Sequence, residues 1–178
     1  SDELGSTESY VSKVKTGEEI TFEIEGLPGY EFKGVYAKDE LIEEGDVYHP
    51  DMGTEFVIKY EPINYHITYL YDDKEEVVDI LYGNKIPEFT PTKKGHSFNG
   101  WRLNNQEFND DVYKHLEDIT LTGEFIPNKY VIYYTNILEE THQEITFEED
   151  FELLIPTKEG SKFLGWYLDG NLFENGKY

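Results

Sequence analysis

Hydrophobic and polar positions alternate with a period of two through much of this chain. Tyr65, Ile67, Tyr69 and Tyr71 take turns with His66, Thr68 and Leu70, which predicts a pleated strand with one aromatic-rich face. Tyr130, Ile132 and Tyr134 repeat that face. Val78, Ile80 and Tyr82, and later Ile145 and Phe147, each predict a second strand after an acidic turn, so each pair reads as a hairpin. His96–Leu103 and Lys162–Leu168 predict a third strand, and Asp169-Gly170 is a favourable dipeptide for the turn that follows. Ile119, Leu121, Gly123 and Phe125 predict a last strand. Before it, Asn109–Leu116 reads as the start of a capped helix, with room for no more than about two turns. The expected fold class is mainly β, a small α+β unit with one antiparallel sheet and one short helix.

The pattern is written more than once. Placing Tyr65–Tyr113 over Tyr130–Tyr178 at a fixed offset of 65 matches 15 of 49 positions without a gap. The match is densest in Pro91-Thr92-Lys93-Lys94-Gly95-His96-Ser97-Phe98-Asn99-Gly100-Trp101, which returns as Pro156-Thr157-Lys158-Glu159-Gly160-Ser161-Lys162-Phe163-Leu164-Gly165-Trp166. A diverged copy comes first: Gly29-Tyr30-Glu31-Phe32-Lys33-Gly34-Val35 lies 66 residues ahead of Gly95–Trp101, with Val35 in place of the tryptophan. After a one-residue slip, Tyr48, Tyr60, Pro62 and Tyr65 precede Tyr113, Phe125, Pro127 and Tyr130 by 65. Self-similarity at a fixed period means an array of like units. The expected units are 1–63, a diverged copy incomplete at its N-terminal side; 64–128, a complete copy; and 129–178, a copy lacking its last strand. Both junctions carry a proline, Pro62 or Pro127, in a linker too short for neighbours to tumble freely. The array is expected to be a semi-rigid, elongated string.

Composition narrows the picture. A 65-residue unit buries only about 60% of its unfolded surface and is marginal alone, so contacts with neighbouring repeats or aromatic-rich cores must help. With 15 Tyr, 11 Phe and 2 Trp, the chain has the aromatic residues for such cores. There is no cysteine, which excludes disulfides and thiol chemistry. Fifteen basic against 38 acidic residues give a net charge of −23, which argues against binding nucleic acid or an anionic membrane surface. No stretch approaches the roughly 20 apolar residues of a membrane-spanning helix. Carboxylates cluster at Asp72-Asp73-Lys74-Glu75-Glu76 and Glu148-Glu149-Asp150, but no calcium-loop pattern surrounds them, and solvated turns are the better reading than a metal site.

Tyr-x-Ile-x-Tyr, an acidic hairpin, Pro-Thr-Lys-x-Gly-x-x-Phe-x-Gly-Trp and a proline junction together resemble the Listeria–Bacteroides repeat, the B-repeat of internalin-type bacterial surface proteins. The resemblance covers nearly all of 64–178. It implies a β-grasp-like (ubiquitin-like) module found in tandem in secreted or wall-attached bacterial proteins, with no catalytic residue to carry over.

The motif residues Pro91, Gly95, Phe98, Gly100 and Trp101, with Pro156, Gly160, Phe163, Gly165 and Trp166, are therefore read as structural. Phe98 and Trp101 are three apart, so an unbroken strand would put them on opposite faces. A bulge at Gly100 would bring both to one face, and core packing is preferred over an exposed sugar-stacking tryptophan. Lys93 and Lys158 are read as solvated turn residues rather than as partners in isopeptide cross-links.

No nucleophile elbow, phosphate loop, dinucleotide fingerprint or zinc-helix motif occurs, and no catalytic, cofactor-binding or metal residue is nominated. The histidines His49, His66, His96, His115 and His142 have no histidine counterpart in another copy. Two functions remain. The favoured one is a non-catalytic spacer or stalk in an extracellular or cell-wall-attached protein. The alternative is an adhesion module docking a host protein or glycan through a sheet edge or inter-repeat groove. A contiguous exposed patch of Tyr69, Tyr71, Tyr133 or Tyr134 would favour the alternative.

Overall fold

A computed structural model describes residues 24–42 and 56–174; the readings that involve Tyr48, His49 and Tyr178 lie outside them. The chain divides into two compact units. One comprises Ser1–Leu70, Lys74–Glu88 and Phe108–Leu121, the other Tyr71–Asp73, Phe89–Glu107 and Thr122–Tyr178.

In the first unit, β1 (Tyr30–Ala37), β2 (Glu40–Ile42) and β3 (Phe56–Pro62) form a sheet of order β2-β1-β3. Lys38 and Asp39 close the β1–β2 hairpin with φ of 48° and 67°, left-handed values that match the twist of paired strands. Strand β4 (Asn64–Tyr71) leads through Asp72-Asp73 (φ 47° and 61°) into β5 (Lys74–Leu81). Alternation along β4 buries Ile67, Tyr69 and Tyr71, as the period of two requires. The buried hydrophobic side chains of this unit are Val35, Ala37, Ile67, Tyr69, Ile80, Ile86, Tyr113, Ile119 and Leu121.

Strands β6 (His96–Leu103), β7 (Gln106–Glu107) and β8 (Ile119–Pro127) join β4 and β5 in a five-stranded sheet of order β5-β4-β8-β6-β7. The second unit also holds β9 (Lys129–Tyr134) paired antiparallel with β10 (Thr141–Thr146), and β11 (Trp166–Leu168) paired antiparallel with β12 (Asn171–Phe173). Tyr134 and Ile145 are buried there. The hairpins β1–β2, β6–β7 and β11–β12 share one register: Ala37 faces Glu40, Leu103 faces Gln106 and Leu168 faces Asn171.

The β1–β3 ladder has the register of the β6–β8 ladder. Tyr30, Glu31 and Phe32 pair with Pro62, Glu61 and Tyr60, as His96, Ser97 and Phe98 pair with Pro127, Ile126 and Phe125. Each ladder then slips at a bulge, between Phe32 and Gly34 or between Phe98 and Trp101. Val35, standing where the others have tryptophan, is buried.

Two expectations need correction. The described residues contain no helix, so the α component expected at Asn109–Leu116 is absent and the fold is mainly β. That segment bonds sideways instead: Ile86 N–H donates to the Asp111 carbonyl, Tyr113 N–H to Asn84, and Gly83 N–H to Tyr113. Burying Tyr113 completely, with its hydroxyl donating to the Glu117 carbonyl at 2.6 Å, outweighs a capping preference worth about 1 kcal/mol. The third strand expected over Lys162–Leu168 is also shorter, confined to Trp166–Leu168.

Candidate functional site

The motif strand performs two jobs, one within its own repeat and one toward the next. Gly100, at φ +80° with open space where a Cβ would stand, lies in the bulge of β6. The extra residue turns Phe98 and Trp101 toward one another, with ring centroids 4.9 Å apart and planes at 62°. Trp101 lies against Phe89, nearly parallel at 17°, and meets Tyr71 edge-on at 5.8 Å. Its indole N–H donates to the Phe89 carbonyl at 2.6 Å. In the last repeat Trp166 donates to the Leu154 carbonyl at 2.6 Å and packs on Phe163 and Tyr134, at 5.3 and 4.6 Å. Both tryptophans are half-buried with their one polar atom already engaged.

The first glycine of the motif forms a joint. Gly95 is at φ +69°, and a Cβ there would fall within 3.0 Å of Cγ, Cδ1 and Cε1 of Phe147, in the following repeat. Gly95 carbonyl accepts from Asn128 N–H at 2.8 Å, and Asn128 carbonyl accepts from Phe147 N–H at 2.9 Å. His96 meets the Phe147 ring edge-on at 5.5 Å, and Ser97 Oγ donates to Asn128 Oδ1 at 2.6 Å. The joint one repeat earlier is the same piece of chemistry. Gly29, at φ +82°, lies under the Tyr82 ring, its carbonyl accepts from Ile63 N–H at 2.9 Å, and Ile63 carbonyl accepts from Tyr82 N–H at 2.9 Å. Tyr30 meets Tyr82 edge-on at 5.4 Å, as His96 meets Phe147. Ile63 and Asn128 directly follow the junction prolines, which explains why so short a linker recurs. The third such glycine, Gly160 at φ +69°, is exposed, with nothing within 4 Å of its Cβ position.

The remaining candidates fall into place around these features. Pro91 and Pro156 are half-buried on the approach to the motif strand, and Gly165 (φ +135°) precedes Trp166 as Gly100 precedes Trp101. Lys93 is not merely solvated: its ammonium lies 2.7 Å from Asp72 Oδ1 and 5.8 Å from the Phe125 ring centre. Lys158 is exposed. His66 N–H donates to Asp118 Oδ1 at 2.8 Å, while its ring nitrogens lie 3.2 Å from Asp118 and 3.2 Å from Asp79. The His66 backbone bond, followed by the ring contact, holds the Asp118 carboxyl below the ordinary carboxylate range. Burial, with Asp118 nearby, pushes the Tyr113 phenol up to about 12. Among the described residues no group of three or more His, Asp or Glu side chains converges as metal ligands would. The four-tyrosine patch does not form, because Tyr69, Tyr71 and Tyr134 are buried and Tyr133 alone of the four is exposed, at 74%.

The junction aromatics Tyr82 and Phe147 were legible only as strand residues. The one signal of their second role was positional: they stand 65 apart, like the glycines they cover at 66.

Two stretches of the chain, 65–125 and 130–178, match the Listeria-Bacteroides repeat domain. The chain belongs to the Listeria-Bacteroides repeat family. It is also similar to two proteins of Evansella cellulosilytica, named "Putative membrane protein" and "Putative Gly-rich membrane protein". The first is 30% identical over 79% of this chain and 23% of the relative, the second 32% identical over 93% and 21%. Internalin H of Listeria monocytogenes is 34% identical over 54% of this chain and 19% of its own length. The chain thus spans about a fifth of the length of each relative. No solved structure matches it. Among the described residues no helix is long and apolar enough to cross a membrane.

Proposed function

We propose that this chain is a non-catalytic stalk segment of a bacterial secreted or cell-wall-attached surface protein, acting outside the cell without a cofactor. The observation that carries this reading is the recurrence of one joint, Gly29 with Tyr82 and Gly95 with Phe147, with the same pair of backbone hydrogen bonds each time. A stalk transmits position, which requires that each repeat meet the next in a single way. Ring contact with a bare glycine leaves little freedom there, since any rotation drives the ring into backbone. The family and the similarity to internalin H support placement on the cell surface. The strand order second–first–fifth–third–fourth across β4–β8 supports the β-grasp-like reading of the module, here without the helix such modules carry. The net charge of −23 keeps neighbouring stalks apart and disfavours nucleic acid as a partner.

The test is binding by the purified chain to host cells and to glycan arrays. A stalk gives no saturable binding. Saturable binding that is lost on Tyr133→Ala would replace this reading with the adhesion module, which the exposed apolar side chains Tyr133, Tyr167 and Leu168 favour.

A further inference from the structure

The glycine just ahead of the tryptophan position is sheltered unequally in the three copies. Gly34, Gly100 and Gly165 hold the same place in the motif strand. Two residues on, Tyr36, Arg102 and Tyr167 pair with Leu41, Glu107 and Leu172 of the hairpin's second strand. A Cβ on Gly34 would meet Leu41 Cδ1, and one on Gly165 would meet Leu172 Cδ1 at 2.5 Å. In both copies, then, a leucine lies over the glycine. The middle repeat has Glu107 there, itself exposed, and nothing lies within 4 Å of the Cβ position of Gly100. The backbone differs with it: φ is 134° at Gly34 and 135° at Gly165, but 80° at Gly100.

The ladder differs too. In the β1–β3 pair only Lys33 is skipped, and Gly34 still faces Lys59. In the β6–β8 pair the register passes from Phe98 facing Phe125 to Trp101 facing Gly123, and neither Asn99 nor Gly100 has a place in it. A bulge of this kind disrupts the ladder locally and frees the backbone from regular pairing. Asn99 is exposed, and its counterparts in the other copies are Lys33 and Leu164. The middle repeat therefore joins an exposed asparagine to a glycine that is uncovered and out of register.

We propose that the Asn99–Gly100 peptide is a self-modification site, at which the asparagine converts to isoaspartate through a cyclic imide. The Gly100 backbone nitrogen attacks Cγ of Asn99 and forms a C–N bond. The Cγ–Nδ2 bond breaks, and ammonia leaves with the proton lost from the Gly100 nitrogen. Water then opens the imide ring, at the main-chain carbonyl carbon to give isoaspartate or at Cγ to give aspartate. Water is the sole co-reactant, and nothing is oxidised or reduced. Ring closure asks two things of the fold. The nitrogen must be approachable, which a residue without a Cβ allows, and the backbone must be free to turn, which regular pairing denies. Isoaspartate lengthens the main chain by a methylene inside the bulge that brings Phe98 and Trp101 together at 4.9 Å. Either product adds a carboxylate beside Glu124, the β8 residue between the two registered pairs, and like charges facing across strands repel. Ageing thus loosens the seat of Trp101. This inference holds whether the chain serves as a stalk or as an adhesion module.

The experiment ages the intact chain in mildly alkaline buffer, beside the same chain unfolded in guanidinium chloride. Samples are digested and read by mass spectrometry, with fragmentation that separates isoaspartate from aspartate. Assignment by peptide is needed because the chain has a second Asn-Gly, at 175–176. Expected at Asn99 is the mass gain of hydroxyl replacing amino, with isoaspartate in excess. The rate should lie within about tenfold of the unfolded chain's. Glu107→Leu, which restores the covering leucine, slows the reaction at least about tenfold, whereas Glu107→Gln, which removes the charge alone, leaves it unchanged. Asn99 staying intact in the folded chain while it reacts in the unfolded one overturns the proposal. So does a Glu107→Leu chain, shown folded by protection of its Trp101 indole N–H, that reacts as fast as the original. Equal slowing by Glu107→Gln and Glu107→Leu overturns it as well.

Discussion

Gly95→Ala tests the joint most directly. Two separate penalties are expected. Alanine at φ +69° sits in the left-handed region, which costs an L-residue about 1–2 kcal/mol. The added methyl also falls within 3.0 Å of three Phe147 ring atoms, including Cγ, the ring atom nearest the backbone. Because Cγ moves least as the side chain turns, the ring cannot swing clear, and overpacking of this kind costs about 1–3 kcal/mol. Gly100→Ala supplies the control. Its φ of +80° carries a similar backbone penalty, but nothing lies within 4 Å of its Cβ. The difference between the variants thus isolates the ring clash at about 1–3 kcal/mol. Because an array need not unfold in one step, local hydrogen exchange is the suitable assay. Protection of the Asn128 and Phe147 amides, which hold the joint, should fall more in Gly95→Ala than in Gly100→Ala. In a Phe147→Ala background the excess should vanish. Equal losses in the two single variants would refute the reasoning, as would unchanged protection of those two amides in Gly95→Ala.

Other outcomes follow from the same contacts. Trp101→Phe and Trp166→Phe each keep most of the ring but lose the bond to Phe89 or Leu154; each should cost about 1 kcal/mol, read by chemical denaturation. A loss in one and none in the other would break the equivalence of the repeats. The Tyr113 phenol is raised in the folded protein, so its contribution is complete below pH 10 and is lost as pH rises toward about 12. Stability should therefore fall in that window by up to about 1.4 kcal/mol per pH unit, and Tyr113→Phe should flatten the slope. Asp118 is shifted the other way: its contribution is complete above the ordinary carboxylate range and disappears as pH falls through its lowered folded value. Asp118→Asn should remove part of the acid sensitivity, measured as denaturation midpoint against pH.

The sequence by itself determined the periodicities, and they carried far. Alternation placed Ile67, Tyr69 and Tyr71 on one buried face, and the offset of 65 related Trp101 to Trp166 down to the length of their hydrogen bonds. Such features are local, because a strand's face follows from its own dihedrals and a bulge from one glycine. The helix expected at Asn109–Leu116 failed since its backbone found partners in residues 83–86, far away along the chain. The joints were hidden for the same reason: Gly29 and Gly95 look like ordinary turn glycines until a ring some fifty residues later lies on them. The tertiary structure also set the extent of β11, which runs from Trp166 to Leu168 and pairs with β12. Local sterics write themselves into short stretches of sequence, whereas hydrogen-bond partners and close ring contacts exist only once distant segments have been brought together.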